Sequence, residues 1–311
     1  MRVTNVLLLA TTASAISFPD VSSITSLFAR KNGGDGGNKQ CPAVWSSVST
    51  TLTAKFLENG QCNKFARAAI RAVFHDCGAW KTTLGATAGC DGSLVFETGR
   101  DENNGLQEIV GYLQGLASQF QVSVADMIVF AGNHAIVTCP GGSRVKTWIG
   151  RTPATAAGPG GLLPPVTDSA ANLSALFIAK GFDDRELAAL LGAHTTSTQD
   201  FVDPAKAGQA QDSTPGIWDV KYYAQTLNPP QGVFVFPSDT KLANYGNVGK
   251  EFKGFVDNQG KWSGKFADAM GKMTLFGSAG TSNMADCTDS LPKSTNIKRE
   301  MKALPMFAPR N

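Results

Sequence analysis

Apolar residues recur along most of the chain at three- and four-residue spacing, as in helices with one buried stripe, and strict apolar/polar alternation is scarce. Val44, Val48, Leu52 and Phe56 form one such stripe, on a predicted helix that stops near Asn59-Gly60. A second helix is predicted over Lys64 to Cys77, and a third over Gly105 to Phe120 on Leu106, Ile109, Val110, Leu113 and Leu116. Ser123 with Asp126 three residues later predicts the start of a fourth, as a capping box with Asp in place of Glu; Met127 to Ala131 form its centre, and Pro140-Gly141-Gly142 lie beyond its end. Gly and Pro crowd the stretch Thr147 to Thr167, which predicts a long connection between two halves. Helices then resume after Asp168, after Asp183 or Asp184, over Trp218 to Leu227, from a Ser238 cap through Asp239 to Val256, and over Gln259 to Phe276. There is no internal repeat, so the pattern predicts a mainly α globular protein.

The two ends break this pattern. Residues 1–15 have a basic start at Arg2, an apolar run from Val6 to Ala10 and an Ala13-Ser14-Ala15 close, which predicts a secretory signal peptide too short to span a bilayer. Residues 16–40 carry Gly33-Gly34-Asp35-Gly36-Gly37 and no apolar period; they read as a flexible mature N-terminus or a propeptide cut near Arg30-Lys31. Residues 41–311 suffice for one large domain or two closely packed halves, a first over about 41–150 and a second over about 151–292, with a patternless tail at 293–311. After cleavage the protein is expected to be soluble and extracellular.

A net charge of +3, not concentrated in any run, gives no support to nucleic acid or anionic membrane as a partner. Six cysteines in a secreted chain predict three disulfides, with 15 pairings open on spacing alone. Asn172-Leu173-Ser174 is an acceptor sequence for N-glycosylation.

Candidate chemistry concentrates in Arg71-Ala72-Val73-Phe74-His75-Asp76-Cys77. On a helix Arg71 and His75 share one face, which puts a base suited to proton transfer near neutral pH beside a permanent cation able to stabilise a developing anion; Asp76 points elsewhere. Of the other two histidines, His194 follows Leu190-Leu191-Gly192-Ala193, where small residues would let a flat group approach the backbone. His134, in Gly132-Asn133-His134-Ala135, reads as a core histidine with its hydrogen bonds satisfied.

Arg71-x-x-Phe74-His75-Asp76-Cys77 resembles the distal motif of the plant, fungal and bacterial haem peroxidase superfamily, and Leu191-Gly192-Ala193-His194-Thr195 resembles its proximal motif. Asp212 to Asp219 and Asp286 to Pro292 are similar to the secreted fungal branch, class II, and the resemblance covers the chain from Cys41 to about Pro292. It implies the haem-peroxidase fold, two helical halves sandwiching a haem b, stapled by disulfides and two Ca2+. The implied activity is that of an extracellular monomer that reduces hydrogen peroxide and oxidises small phenolic donors by single electrons through a ferryl haem intermediate. His194 would ligate the haem iron and Asp239 would accept its other ring N–H. His75 would move the peroxide proton, Arg71 would stabilise the departing charge, Asn103 would hold the His75 tautomer, and Phe74 would pack over the haem.

The resemblance further implies a distal calcium on Asp76, the Gly89 carbonyl, Asp91 and Ser93, and a proximal one on Thr195, Asp212, Thr214, the Ile217 carbonyl and Asp219, each bracing a helix that carries one of the two histidines. It also implies the pairings Cys41–Cys287, Cys62–Cys139 and Cys77–Cys90, the last more like the secreted plant branch.

Some positions depart from the family. Those that hold Mn(II) in fungal relatives are Lys64, Ala68 and Asp200 here, one acid of three, and Ala189 stands where lignin-oxidising members expose a tryptophan. This predicts a generic low-potential type. Tyr112, Tyr222, Tyr223 and Tyr245 are alternative radical carriers, each more simply read as packing. Gln211 stands where the branch places a phenylalanine by the proximal histidine, which predicts a more polar proximal pocket. The competing reading is an inactive secreted calcium-binding scaffold. A non-haem metal site on His75 and His194 is disfavoured, because no carboxylate or Cys/His cluster accompanies them.

Overall fold

The structure, a computed structural model, describes residues 39–295. The predicted signal peptide, residues 16–38 and residues 296–311 lie outside the described residues. Ten α-helices occur among the described residues, in two groups. The first holds α1 (Val44–Phe56), α2 (Lys64–Cys77), α3 (Gln107–Phe120) and α4 (Val124–Thr138). The other three helices of this group pack on α4, which is buried from Ala125 to Thr138 because it is apolar on nearly all sides.

The second group holds α5 (Ala170–Ala179), α6 (Asp184–Leu191), α7 (Lys221–Leu227), α8 (Pro237–Ala243), α9 (Gly246–Lys253) and α10 (Gln259–Met273). Here α6 is central, flanked by α9 and α10. Asp183 and Glu186 start it with a reciprocal capping box, each accepting the other's backbone N–H.

Short antiparallel ladders pin the connections: β1 (Leu57–Glu58) with β2 (Gln61–Cys62), β3 (Trp148–Ile149) with β6 (Ala285–Asp286), and β4 (Thr198–Gln199) with β5 (Gln209–Ala210). The disulfides are Cys41–Cys287, Cys62–Cys139 and Cys77–Cys90. No single described helix is long and apolar enough to cross a membrane.

The structure corrects several expectations. The helix predicted from Asp239 to Val256 is two, broken at Asn244-Tyr245, and Gly249 packs so closely on the end of α8 that a Cβ there would lie 2.8 Å from the Ala243 carbonyl oxygen. Its cap position is Phe236, and Ser238 lies inside the first turn. The third helix begins at Gln107, not Gly105, and the Trp218 segment turns helical only at Lys221. Only half of the Ser123 capping box forms, because the Asp126 carboxylate turns instead to Arg151, at 3.0 Å from Nη1, and to the Gly150 and Arg151 amides. The N-terminal segment joins the fold two residues early, since Lys39 bridges to Ala285.

Candidate active site

The Asn63 side chain starts α2 by accepting from the Phe65 and Ala66 amides at 3.0 and 3.2 Å, satisfying donors that a helix start leaves open. One helix face then carries Arg71 and, in the last turn, His75. The His75 Nδ1–H donates to Asn103 Oδ1 at 2.8 Å, and Asn103 cannot flip because its Nδ2 donates to the Glu97 carbonyl at 2.9 Å. This leaves His75 Nε2 as the acceptor nitrogen. Arg71 Nε–H donates to it at 3.2 Å, while the rest of the guanidinium is held by the carbonyls of Asn104 at 2.7 Å and Glu102 at 3.1 Å. Burial, then the Arg71 charge, push the His75 pKa down to about 3 against the opposing Asn103 bond, so the imidazole is a neutral base across the ordinary pH range.

His194 lies just past α6, in a tight 3-10 turn over Gly192–Thr196. Its Nδ1–H donates to Asp239 Oδ2 at 2.7 Å, and the ring is flanked edge-on by Tyr222 and Phe236. Gly192 does admit a flat group against the backbone, and that group is the Trp262 indole. A Cβ there would lie 2.3 Å from Trp262 Nε1 and 2.5 Å from the Tyr223 hydroxyl, so the glycine admits α10 and α7 beneath the turn.

Arg71, Phe74, His75 and His194 all line one cavity of about 670 Å³, whose remaining walls are largely apolar, among them Leu163, Phe177 and Met270. With Nδ1 committed to Asp239, His194 Nε2 makes no hydrogen bond among the described residues. A ring nitrogen left without a hydrogen-bond partner in a largely apolar slot, with a base and a cation sharing the same space, fits a planar iron cofactor.

No three His, Cys, Asp or Glu side chains converge at metal-ligand spacing among the described residues. The predicted calcium residues do gather in two places, each with two carboxylates and added hydroxyls or carbonyls. Asp76 accepts from the Gly92 and Leu94 amides, and Asp91 from Ser93 N. Gly89, at φ +87°, sits where a Cβ would lie 2.5 Å from the Phe276 oxygen. Burial lifts the Asp76 carboxyl to about pH 8. On the other side Thr195 Oγ1 donates to Asp212 at 2.5 Å and Thr214 Oγ1 to Asp219 at 3.0 Å. Burial raises both carboxyls, Asp212 to about 6. The donor chemistry of each group suits a hard cation.

Lys64, Ala68 and Asp200 all line the cavity, and Lys64 is paired with Glu108 at 3.3 Å. Ala189 is buried, its carbonyl accepting from Trp262 Nε1 at 3.0 Å. Gln211 is buried with both amide atoms unpartnered among the described residues, and it does not line the cavity. Asn172 is exposed at the first turn of α5, but Leu173 and Ser174 of its sequon are buried. His134 is the satisfied core histidine the sequence predicts, bonded to the Ser49 carbonyl at 2.9 Å and to Thr138 Oγ1 at 3.0 Å.

Several contributors escaped sequence reasoning. Glu97 supplies the carbonyl that fixes Asn103. Lys180, fully buried, donates to the carbonyls of Gly78, Trp80 and Leu162 at 2.7, 2.9 and 2.6 Å, tying α5 to the end of α2. The Tyr222 hydroxyl donates to Asp239 Oδ2 at 2.9 Å. Each had only its residue type as a signal.

The profile of the peroxidase family matches residues 46–258. The chain is 30% identical to manganese peroxidase 3 of Phlebia radiata over 306 residues, covering 89% of this chain and 84% of the relative. It is 32% identical to the low-redox potential peroxidase of Taiwanofungus camphoratus over 269 residues, covering 80% and 77%, and 31% identical to ligninase LG6 of Phanerodontia chrysosporium over 281 residues, covering 82% and 75%.

Proposed function

The chain belongs to the peroxidase family, on its fungal class II side, and is an oxidoreductase acting on hydrogen peroxide; we propose that it is a secreted haem b enzyme that oxidises small phenolic donors one electron at a time. The observation that carries this reading is the single cavity on which His75, Arg71 and His194 converge. His194 would hold the iron through Nε2, oriented by Asp239. When bound, the haem supplies a redox centre that takes two oxidising equivalents from peroxide and passes them on singly to organic donors.

The distal side chains supply the proton chemistry. His75 Nε2 takes a proton from one peroxide oxygen and returns it to the other, which leaves as water; the Asn103 bond keeps the proton on Nδ1 and so keeps Nε2 basic. Arg71 already rests on Nε2, so the substrate proton reaches His75 by displacing that contact, and the guanidinium then faces the departing oxygen and stabilises its charge. Phe74 packs between His75 and Phe177 and shields that side of the slot. Phe201, 58% exposed, offers a donor an apolar surface at the rim. Asp76, Gly89, Asp91 and Ser93 would hold one calcium, and Thr195, Asp212, Thr214, Ile217 and Asp219 a second. Three disulfides suit an oxidising compartment.

The test is a pair of variants. His194→Ala abolishes stable haem uptake, whereas His75→Ala keeps the haem and slows its reaction with peroxide by several orders of magnitude. Fast peroxide reaction in His75→Ala would refute the distal assignment.

A further inference from the structure

Asp239 has two donors on one oxygen. Its Oδ2 accepts the His194 Nδ1–H at 2.7 Å and the Tyr222 hydroxyl at 2.9 Å, while Oδ1 takes the Ser238 hydroxyl at 3.1 Å. Asp239 and Tyr222 are both buried, so no bulk water competes for these contacts. Tyr222 is also fixed in place: its ring meets His194 edge-on at 5.8 Å and packs edge-on against Tyr223 and Phe252 at 5.3 and 5.6 Å. The neighbouring phenol, Tyr223, makes a different contact. It donates to the Ala188 and Ala189 carbonyls at 2.9 and 3.3 Å and does not reach the carboxylate.

A carboxylate that accepts a ligand histidine's second N–H draws that proton toward itself and makes the imidazole a stronger electron donor to its metal. The strength of that pull depends on how much negative charge the accepting oxygen keeps. A phenol on the same oxygen withdraws charge from it, and in a buried site that effect is not screened. Tyr222 and His194 therefore compete for Asp239.

We propose that Tyr222 is a positioning residue that weakens the Asp239 pull on His194, so that the proximal imidazole is a poorer electron donor and the haem reduction potential stands higher than the His194–Asp239 pair alone would set. The inference rests on the proposed ligation of haem by His194.

The experiment uses the full haem-loaded chain and two readings independent of turnover: the iron–histidine stretching frequency of the reduced haem by resonance Raman, and the Fe(III)/Fe(II) potential. In Tyr222→Phe the phenol is lost and the ring stays. The stretching frequency rises and the potential becomes more negative. Tyr223→Phe, which removes a phenol that does not touch Asp239, leaves both unchanged. Replacing all four tyrosines with 3-fluorotyrosine, whose phenol is the stronger donor, shifts both readings the opposite way, and this keeps the test decisive should Tyr222→Phe fail to fold. Equal readings in the wild type, Tyr222→Phe and fluorotyrosine proteins overturn the inference while histidine ligation stands. A wild-type haem with no iron–histidine band refutes the ligation on which it rests.

Discussion

His75 Nδ1 and Asn103 Oδ1 lie 2.8 Å apart, and the Asn103 amide is itself oriented by the Glu97 carbonyl, so a loop outside α2 decides which imidazole nitrogen is free to act as a base. Asn103→Val removes that control while keeping a similar volume. Stopped-flow mixing with hydrogen peroxide should show the bimolecular rate falling by about 10–100-fold, the usual cost of losing a partner that orients a functional histidine. An unchanged rate would mean that the tautomer is set elsewhere.

Arg71 acts on His75 through its charge as well as on the substrate. Because the guanidinium is the second-largest cause, after burial, of the lowered His75 pKa, Arg71→Leu lets that pKa rise from about 3 toward the ordinary histidine value. The wild-type rate of reaction with peroxide should fall only as the pH drops toward 3. In the variant the acid limb moves to higher pH, and the plateau drops by about 10²–10³-fold. A pH–rate profile of both proteins checks the two effects separately.

His134 contributes pH-dependent stability far from the site. Burial lowers its pKa from 6.5 to about 4, so in the window between these values the unfolded chain binds the extra proton and the folded one does not. The contribution is complete above about pH 6.5 and is lost as the pH falls toward 4, on the order of 3 kcal/mol over the full window. Urea titrations at pH 7 and pH 4.5 should show a smaller drop for His134→Gln than for the wild type.

Lys180 holds three backbone carbonyls with one buried ammonium. Lys180→Met keeps the length of the side chain and strips those acceptors of their donor, which should cost about 2–4 kcal/mol. Thermal unfolding reads this directly, and a Tm within a degree of wild type would show that the carbonyls find other partners.

Calcium removal should act on the same framework. Asp212 and Asp219 are buried carboxylates whose pKa values are raised by burial, with the Asp219 charge adding to the effect on Asp212, so a divalent cation bound among them stabilises the folded chain by about 4 kcal/mol at a thousandfold excess over its Kd. A calcium chelator should lower the Tm and speed haem loss, and added calcium should reverse both. Insensitivity to the chelator would refute the two calcium assignments.

Much of this was legible in the chain because it is local. Arg71 and His75 share a helix, so their spacing alone placed them together, and the apolar stripes located nearly every helix. The break between α8 and α9 was hidden because the turn is made by Asn244, Tyr245 and Gly246, with no proline to mark it. Tyr222 and Lys180 were opaque for a different reason: their partners, Asp239 and the Gly78, Trp80 and Leu162 carbonyls, are 17 to 102 residues away. The identity of the flat group that Gly192 admits was opaque likewise, since it is the indole of Trp262, on α10.

The most direct test of the central claim is the visible absorption spectrum of the purified protein before and after one equivalent of hydrogen peroxide. The expected result is a haem Soret band that bleaches and shifts on adding peroxide and returns when a phenol is supplied. A protein that shows no haem band even after reconstitution, or a band that peroxide leaves unchanged, would contradict it.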